Sequence, residues 1–203
     1  MEHVSGGTIA SLLKKFGVFE ESVFRRYTSQ IIDAVTYLHA NNVVHRDIKG
    51  SNMMVTTTGL IKLIDFGTAK KTTEDLVTPL SAMKLDYSIK GTPYWMAPEV
   101  VQMTGEPTCK ADIWSIGCTV IEMATGSPPY FHLQPMSALF TIGSIEKPSP
   151  RLPDEFSETA KDFVNKCLIK SMHRRPSALE LGRHRFMLRE FIKQHQDNRG
   201  FYI

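Results

Sequence analysis

The stretch His45-Arg46-Asp47-Ile48-Lys49-Gly50-Ser51-Asn52, followed by Asp65-Phe66-Gly67, decides how this chain reads. Between Asn52 and Asp65 the pattern is strand, turn, strand: Met53-Met54-Val55, then Thr58-Gly59, then Leu60-Ile61-Lys62-Leu63-Ile64. Apolar runs split by a Thr-Gly turn predict a β-hairpin. Such a hairpin brings Asp47, Asn52 and Asp65 into one cleft. Either string alone occurs by chance; both together, in this order and at this distance, are specific.

Together they match the H-R-D-x-x-x-x-N and D-F-G strings of protein kinases, which the chain therefore resembles. Further markers follow in kinase order: Ala97-Pro98-Glu99, Asp112-Ile113-Trp114-Ser115-Ile116-Gly117 and Arg175-Pro176. The longer strings Gly91-Thr92-Pro93-Tyr94-Trp95-Met96-Ala97-Pro98-Glu99 and Thr119-Val120-Ile121-Glu122-Met123-Ala124-Thr125-Gly126 resemble those of the mitogen-activated protein kinase kinase kinases. The resemblance runs from Met1 to about Met187. It implies a mainly α fold, the large C-terminal lobe of a kinase, helical with a small β-hairpin at the catalytic cleft. On this reading residues 1–7 are a hinge remnant and 8–187 the lobe. The catalytic loop spans 45–52, the activation segment 65–99, and 188–203 form a tail. No two glycines stand two apart, so no G-x-G-x-x-G string occurs, and no V-A-I-K-like strand precedes the catalytic loop. The small N-terminal lobe is accordingly expected to be missing.

The resemblance implies ATP and magnesium as cofactors and a protein substrate, a mitogen-activated protein kinase kinase. Asp47 would orient the substrate hydroxyl and accept its proton. Lys49 would neutralise the transferred phosphate and mark Ser/Thr rather than Tyr specificity. Asn52 and Asp65 would hold magnesium through hard oxygen ligands. Met54 would floor the adenine, with Glu2 and Val4 supplying hinge backbone hydrogen bonds. Asp112 would bind the catalytic-loop backbone, and Glu99 and Arg175 would form a buried ion pair. His45 reads as a packing residue rather than a base. Arg46 suggests control by phosphorylation, since a guanidinium forks onto a phosphate. Ser88 is the expected acceptor, and Thr92 is a second candidate that also serves the substrate platform.

Composition sets the remaining bounds. A chain of 203 residues with 42% hydrophobic content predicts one domain with a real core. A net charge of +3 gives no argument for nucleic acid, and a locally basic tail reads as a solvated helix face. Cys109, Cys118 and Cys167 are odd in number and lack a C-x-x-C pair, which suits free thiols in a reducing compartment. No signal peptide or membrane span is expected, so the protein is placed in the cytoplasm without a membrane partner.

Apolar periodicity predicts helices over Thr8–Phe16, from about Val23 to near Asn41-Asn42, and over Lys110–Thr125, the last apolar on nearly every face and so buried. Shorter helices are expected over Met136–Ile142, Ser157–Leu168 and Ser177–Gly182, and a mobile loop over Lys70–Lys90. Two functions compete. One is a Ser/Thr kinase lobe; the other is a catalytically incompetent fragment acting as a docking or regulatory module. The intact large-lobe residues favour the first, and the absent glycine loop and strand lysine favour the second.

Overall fold

The structure is a computed structural model that describes residues 6–71, 93–104 and 108–188. It is organised around one long buried helix. Seven α-helices are described: α1 Ile9–Phe16, α2 Glu21–Ala40, α3 Pro98–Val101, α4 Cys109–Thr125, α5 Pro135–Gly143, α6 Glu158–Cys167 and α7 Ala178–Gly182. The described strands are β1 Gly6–Thr8, β2 Val43–Val44, β3 Met53–Thr56, β4 Ile61–Leu63 and β5 Lys70–Lys71. No described helix is long and apolar enough to cross a membrane.

Helix α4 is the axis of the core. Every residue from Ala111 to Ala124 is buried, as a helix apolar on nearly every face requires. It starts where the Thr108 side chain accepts from the Lys110 backbone N–H and stops at Gly126, whose φ of 83° is left-handed. Helix α2 packs across it through Phe24, Ile31, Ile32 and Val35, and α6 through Phe163, Val164 and Cys167. The α4–α6 approach is close enough that a Cβ on Gly117 would lie 2.7 Å from Cys167 Cβ. Phe24, Phe163 and Phe186 form an aromatic cluster with ring centroids 5.2 to 6.0 Å apart.

The predicted hairpin is β3–β4, with Met53 opposite Leu63 and Met54 opposite Lys62. Two features go beyond it. Gly6 and Gly7, assigned from sequence to a hinge, pair antiparallel with β3 and make the sheet three-stranded in the order β1-β3-β4. Lys70–Lys71, expected to open a loop, form β5 and pair with β2. That pairing ties the residues just before His45 to those just after Gly67.

Candidate active site

Strand β2 delivers the chain into His45–Asn52, and α4 holds this loop from beneath. The Asp112 carboxylate accepts from the backbone N–H of His45 at 2.9 Å and of Arg46 at 2.8 Å. These bonds hold Arg46 at a φ of 68°, a conformation unfavourable for a residue with a Cβ. The Arg46 guanidinium donates through Nε to the Thr68 carbonyl, and Thr68 Oγ1 donates to the His45 carbonyl at 3.1 Å. The loop and the segment after Asp65 are thus fastened to each other by side chains as well as by β2–β5.

Asp47 lies at the centre. Its Oδ2 accepts from Asn52 Nδ2 at 2.7 Å and faces Lys49 Nζ at 2.9 Å. The Asp47 side chain is 18% exposed, open enough to be reached and closed enough to be oriented. Asn52, buried in a tight turn over Gly50–Asn52, also donates to the Asp47 carbonyl at 2.9 Å. Its amide nitrogen is committed to Asp47, so the amide oxygen is the atom that could hold a cation.

The hairpin then returns the chain to the same place. Ile64 N–H donates to the Asn52 carbonyl at 3.0 Å, so Asp65 emerges beside Asn52. Asp65 has a φ of 63°, and its Oδ1 accepts from Gly67 N–H at 3.2 Å; its residue is exposed. Met54 is half-buried in β3, opposite Thr8 of β1. The calls on Glu2, Val4, Ser88 and Thr92 lie outside the described residues.

His45 is fully buried, its ring 5.0 Å from that of Phe66. The Asp47 N–H donates to its Nδ1 at 3.3 Å, which places the proton of a neutral ring on Nε2. Nε2 is buried without a hydrogen-bond partner among the described residues. A ring so placed props the loop and is not positioned as a base.

Glu99, in α3, and Arg175 form a forked pair with N–O distances of 2.7 and 3.0 Å. Arg175 is fully buried, lies over the Trp114 ring, and donates further to the carbonyls of Lys110, Ile169 and Lys170. The pair therefore ties the start of α3 to the α6–α7 connection. Beside Asp47 opens a cavity of about 200 Å³, lined by Arg46, Ile48, Thr68, Trp95, Met96 and Ala97 among others. It leaves open space next to the Asp47 carboxylate.

Sequence reasoning passed over two side chains here. His39, in the last turn of α2, bonds through Nε2 to Asp112 Oδ2 at 2.9 Å. Burial alone would lower its pKa, but the Asp112 carboxylate and the Cys109 thiol outweigh burial and raise it to about 9. The only hint in the sequence was a histidine at a helix C-terminus. Glu122 is buried in α4 with two donors on one oxygen. Its hint was a lone carboxylate inside an otherwise apolar helix.

Comparisons with known proteins follow the same direction. The family described as protein kinase domain matches residues 1–187. The chain is 52% identical over 189 residues to human mitogen-activated protein kinase kinase kinase 19, covering 93% of this chain and 14% of that protein. It is 49% identical over 189 residues to mitogen-activated protein kinase kinase kinase ANP1 of Arabidopsis thaliana, covering 93% and 27%. It is 46% identical over 187 residues to mitogen-activated protein kinase kinase kinase YODA of the same plant, covering 92% and 20%. The chain thus spans between 14% and 27% of the length of these three relatives.

Proposed function

This chain belongs to the protein kinase domain family, of the mitogen-activated protein kinase kinase kinase type, and on that premise we propose that it is the catalytic large lobe of a Ser/Thr kinase acting on a downstream kinase, a mitogen-activated protein kinase kinase. The observation that carries the reading is Asp47. Its carboxylate is fixed between Asn52 and Lys49, over a loop whose backbone is gripped by a buried carboxylate.

The chemistry follows from that arrangement. Phosphoryl transfer depends mainly on positioning and on charge neutralisation. A serine or threonine hydroxyl donating to the Asp47 carboxylate would be aimed at the γ-phosphorus of ATP; as the new O–P bond forms, the bond from that phosphorus to the β-phosphate oxygen breaks, ADP leaves, and Asp47 takes the hydroxyl proton. Lys49 sits where its ammonium offsets charge on the moving phosphoryl group. Asn52 and Asp65 contribute one amide oxygen and one carboxylate. The described residues include no cluster of three or more His, Cys, Asp or Glu side chains able to hold a metal. One carboxylate and one amide suit magnesium shared with nucleotide phosphates, a mode in which the ion keeps several waters. When bound, the ion neutralises charge on the phosphates and leaves this chain's residues to orient the partners. Met54, with Glu2 and Val4, is assigned to the adenine side. Ser88, with Thr92 as a second candidate, is assigned to activation through a phosphate paired with Arg46.

A second reading rests on the sequence. Residues 1–203 encode neither a glycine-rich loop nor a V-A-I-K-like strand before the catalytic loop, so this stretch by itself could serve as a docking or regulatory module. The kinase reading stands or falls in one assay. The full-length protein, given magnesium, γ-labelled ATP and a catalytically dead mitogen-activated protein kinase kinase, should place label on serine or threonine. No label on the substrate, or label on tyrosine, contradicts the kinase assignment.

A further inference from the structure

Polar side chains are few on α4, and several fall in one line. Asp112, Ser115, Thr119 and Glu122 stand at three- and four-residue spacing, so they share a face of the helix. All four are buried. Asp112 grips the catalytic loop at residues 45 and 46. Ser115 Oγ donates to the Trp95 carbonyl at 2.8 Å, and Thr119 Oγ1 to the Ser115 carbonyl at 2.8 Å. Glu122 lies ten residues beyond Asp112, about 15 Å along the axis. There it grips the far end of the same loop. Its Oε2 accepts from the Gly50 N–H at 3.0 Å and from the Trp95 indole N–H at 3.0 Å.

Two observations show that this contact is built in. A carboxylate only 5% exposed is costly to bury. Burial pushes the Glu122 pKa up, and the Gly50 N–H, the Trp95 indole and the charge of Lys49 draw it back. Gly50 is matched to it: a Cβ there would lie 2.6 Å from Glu122 Oε1 and 2.9 Å from Cδ. The φ of Gly50 is outside the left-handed region, so the glycine is required for room and not for backbone conformation. Asp47 and Lys49 lie between the two grips.

We infer that Glu122 is a positioning residue for phosphoryl transfer: it anchors the Gly50 end of the catalytic loop, ties it to Trp95, and so holds Asp47 and Lys49 between two carboxylates of one helix. This rests on the kinase reading above. The carboxylate points into the protein, so it acts on the loop and not on substrate.

The test uses the full-length protein. Glu122→Ala leaves two buried donors without an acceptor, while Glu122→Gln keeps an acceptor oxygen on a side chain of the same length. Glu122→Ala should lower kcat by at least about tenfold with KM for ATP moving less than about threefold, the pattern of a lost transition-state contact. It should speed amide exchange across residues 45–52 without speeding it across 31–35 of α2. Glu122→Gln should restore at least about a third of kcat, together with the protection, if the acceptor is what matters. If Glu122→Ala does not fold, Trp95→Phe removes one donor and leaves the carboxylate in place. It should lower kcat in the same way, by at least about threefold. Unchanged kcat and unchanged exchange in Glu122→Ala, or in Trp95→Phe where that stands in, overturns the inference. So does a Glu122→Gln variant as impaired as Glu122→Ala. Exchange does not depend on turnover. A parent without phosphotransfer refutes the kinase reading, and the exchange data still decide whether Glu122 anchors the loop.

Discussion

Arg46 and Asp65 both stand at positive φ, at 68° and 63°, one in the loop after β2 and the other just after β4. Each such residue costs on the order of 1–3 kcal/mol, which the surroundings must offset. At Arg46 the offset is Asp112, whose carboxylate also holds His39. His39 binds its proton more tightly folded, at about 9, than at its ordinary 6.5. A raised pKa stabilises the fold fully below the ordinary value, and the stabilisation is lost as pH rises through the folded one. Unfolding free energy should therefore fall between pH 6.5 and about 9, and His39→Gln should flatten that slope. An equal slope in both proteins would show that the Asp112 and Cys109 contacts do not govern His39. At Glu99 the expectation is larger. Glu99→Gln leaves the fully buried Arg175 charge without its counterion, and breaking a buried pair costs about 3–5 kcal/mol. Chemical denaturation should show that loss; one below about 1 kcal/mol would mean the Arg175 carbonyl contacts suffice by themselves.

The elements differ in how far they could be read from sequence. Helices α2 and α4 came within two residues of their expected ends because each repeats its apolar pattern over several turns. The β3–β4 hairpin was legible from its Thr58-Gly59 turn. Strand β1 was not: Gly6-Gly7-Thr8 has no alternation, and its pairing with β3 is supplied by residues nearly fifty positions away. Strands β2 and β5 have two residues each, too few for any period. Helix α3 covers only Pro98–Val101 and was hidden within the Ala97-Pro98-Glu99 motif. At the site, motif spacing pointed to Asp47, Asn52 and Asp65, which the fold brings together, because such strings encode chemistry directly. Glu122 and His39 were missed because their partners are set by packing. Packing of α4 on α6 also makes a prediction at this scale. A Cβ on Gly117 would press on Cys167 Cβ and Leu168, and overpacking of this kind costs about 1–3 kcal/mol. Gly117→Ala should lower the denaturation midpoint accordingly; an unchanged midpoint would mean that α6 can shift to make room.

For the molecule as a whole, the central claim is that one buried helix presents a catalytic loop whose Asp47 drives phosphoryl transfer. Residues 1–203 carry Asp47, Lys49, Asn52 and Asp65 but no glycine-rich cover for phosphates. A polypeptide of these residues should therefore bind ATP only at millimolar concentration or above, about −4 kcal/mol or weaker. Calorimetry giving micromolar binding would show that the glycine-rich cover is dispensable. The most direct test of the central claim is kcat of the full-length protein against its Asp47→Asn variant, with thermal unfolding measured on both. Asparagine has nearly the same size and keeps the hydrogen-bonding oxygen, but it lacks the charge that orients the hydroxyl and the basicity that takes its proton. The account predicts a fall in kcat of at least about 10²-fold, typical of a lost general base, with an unchanged unfolding midpoint. A variant that folds as well as its parent and keeps more than a few per cent of kcat would contradict it.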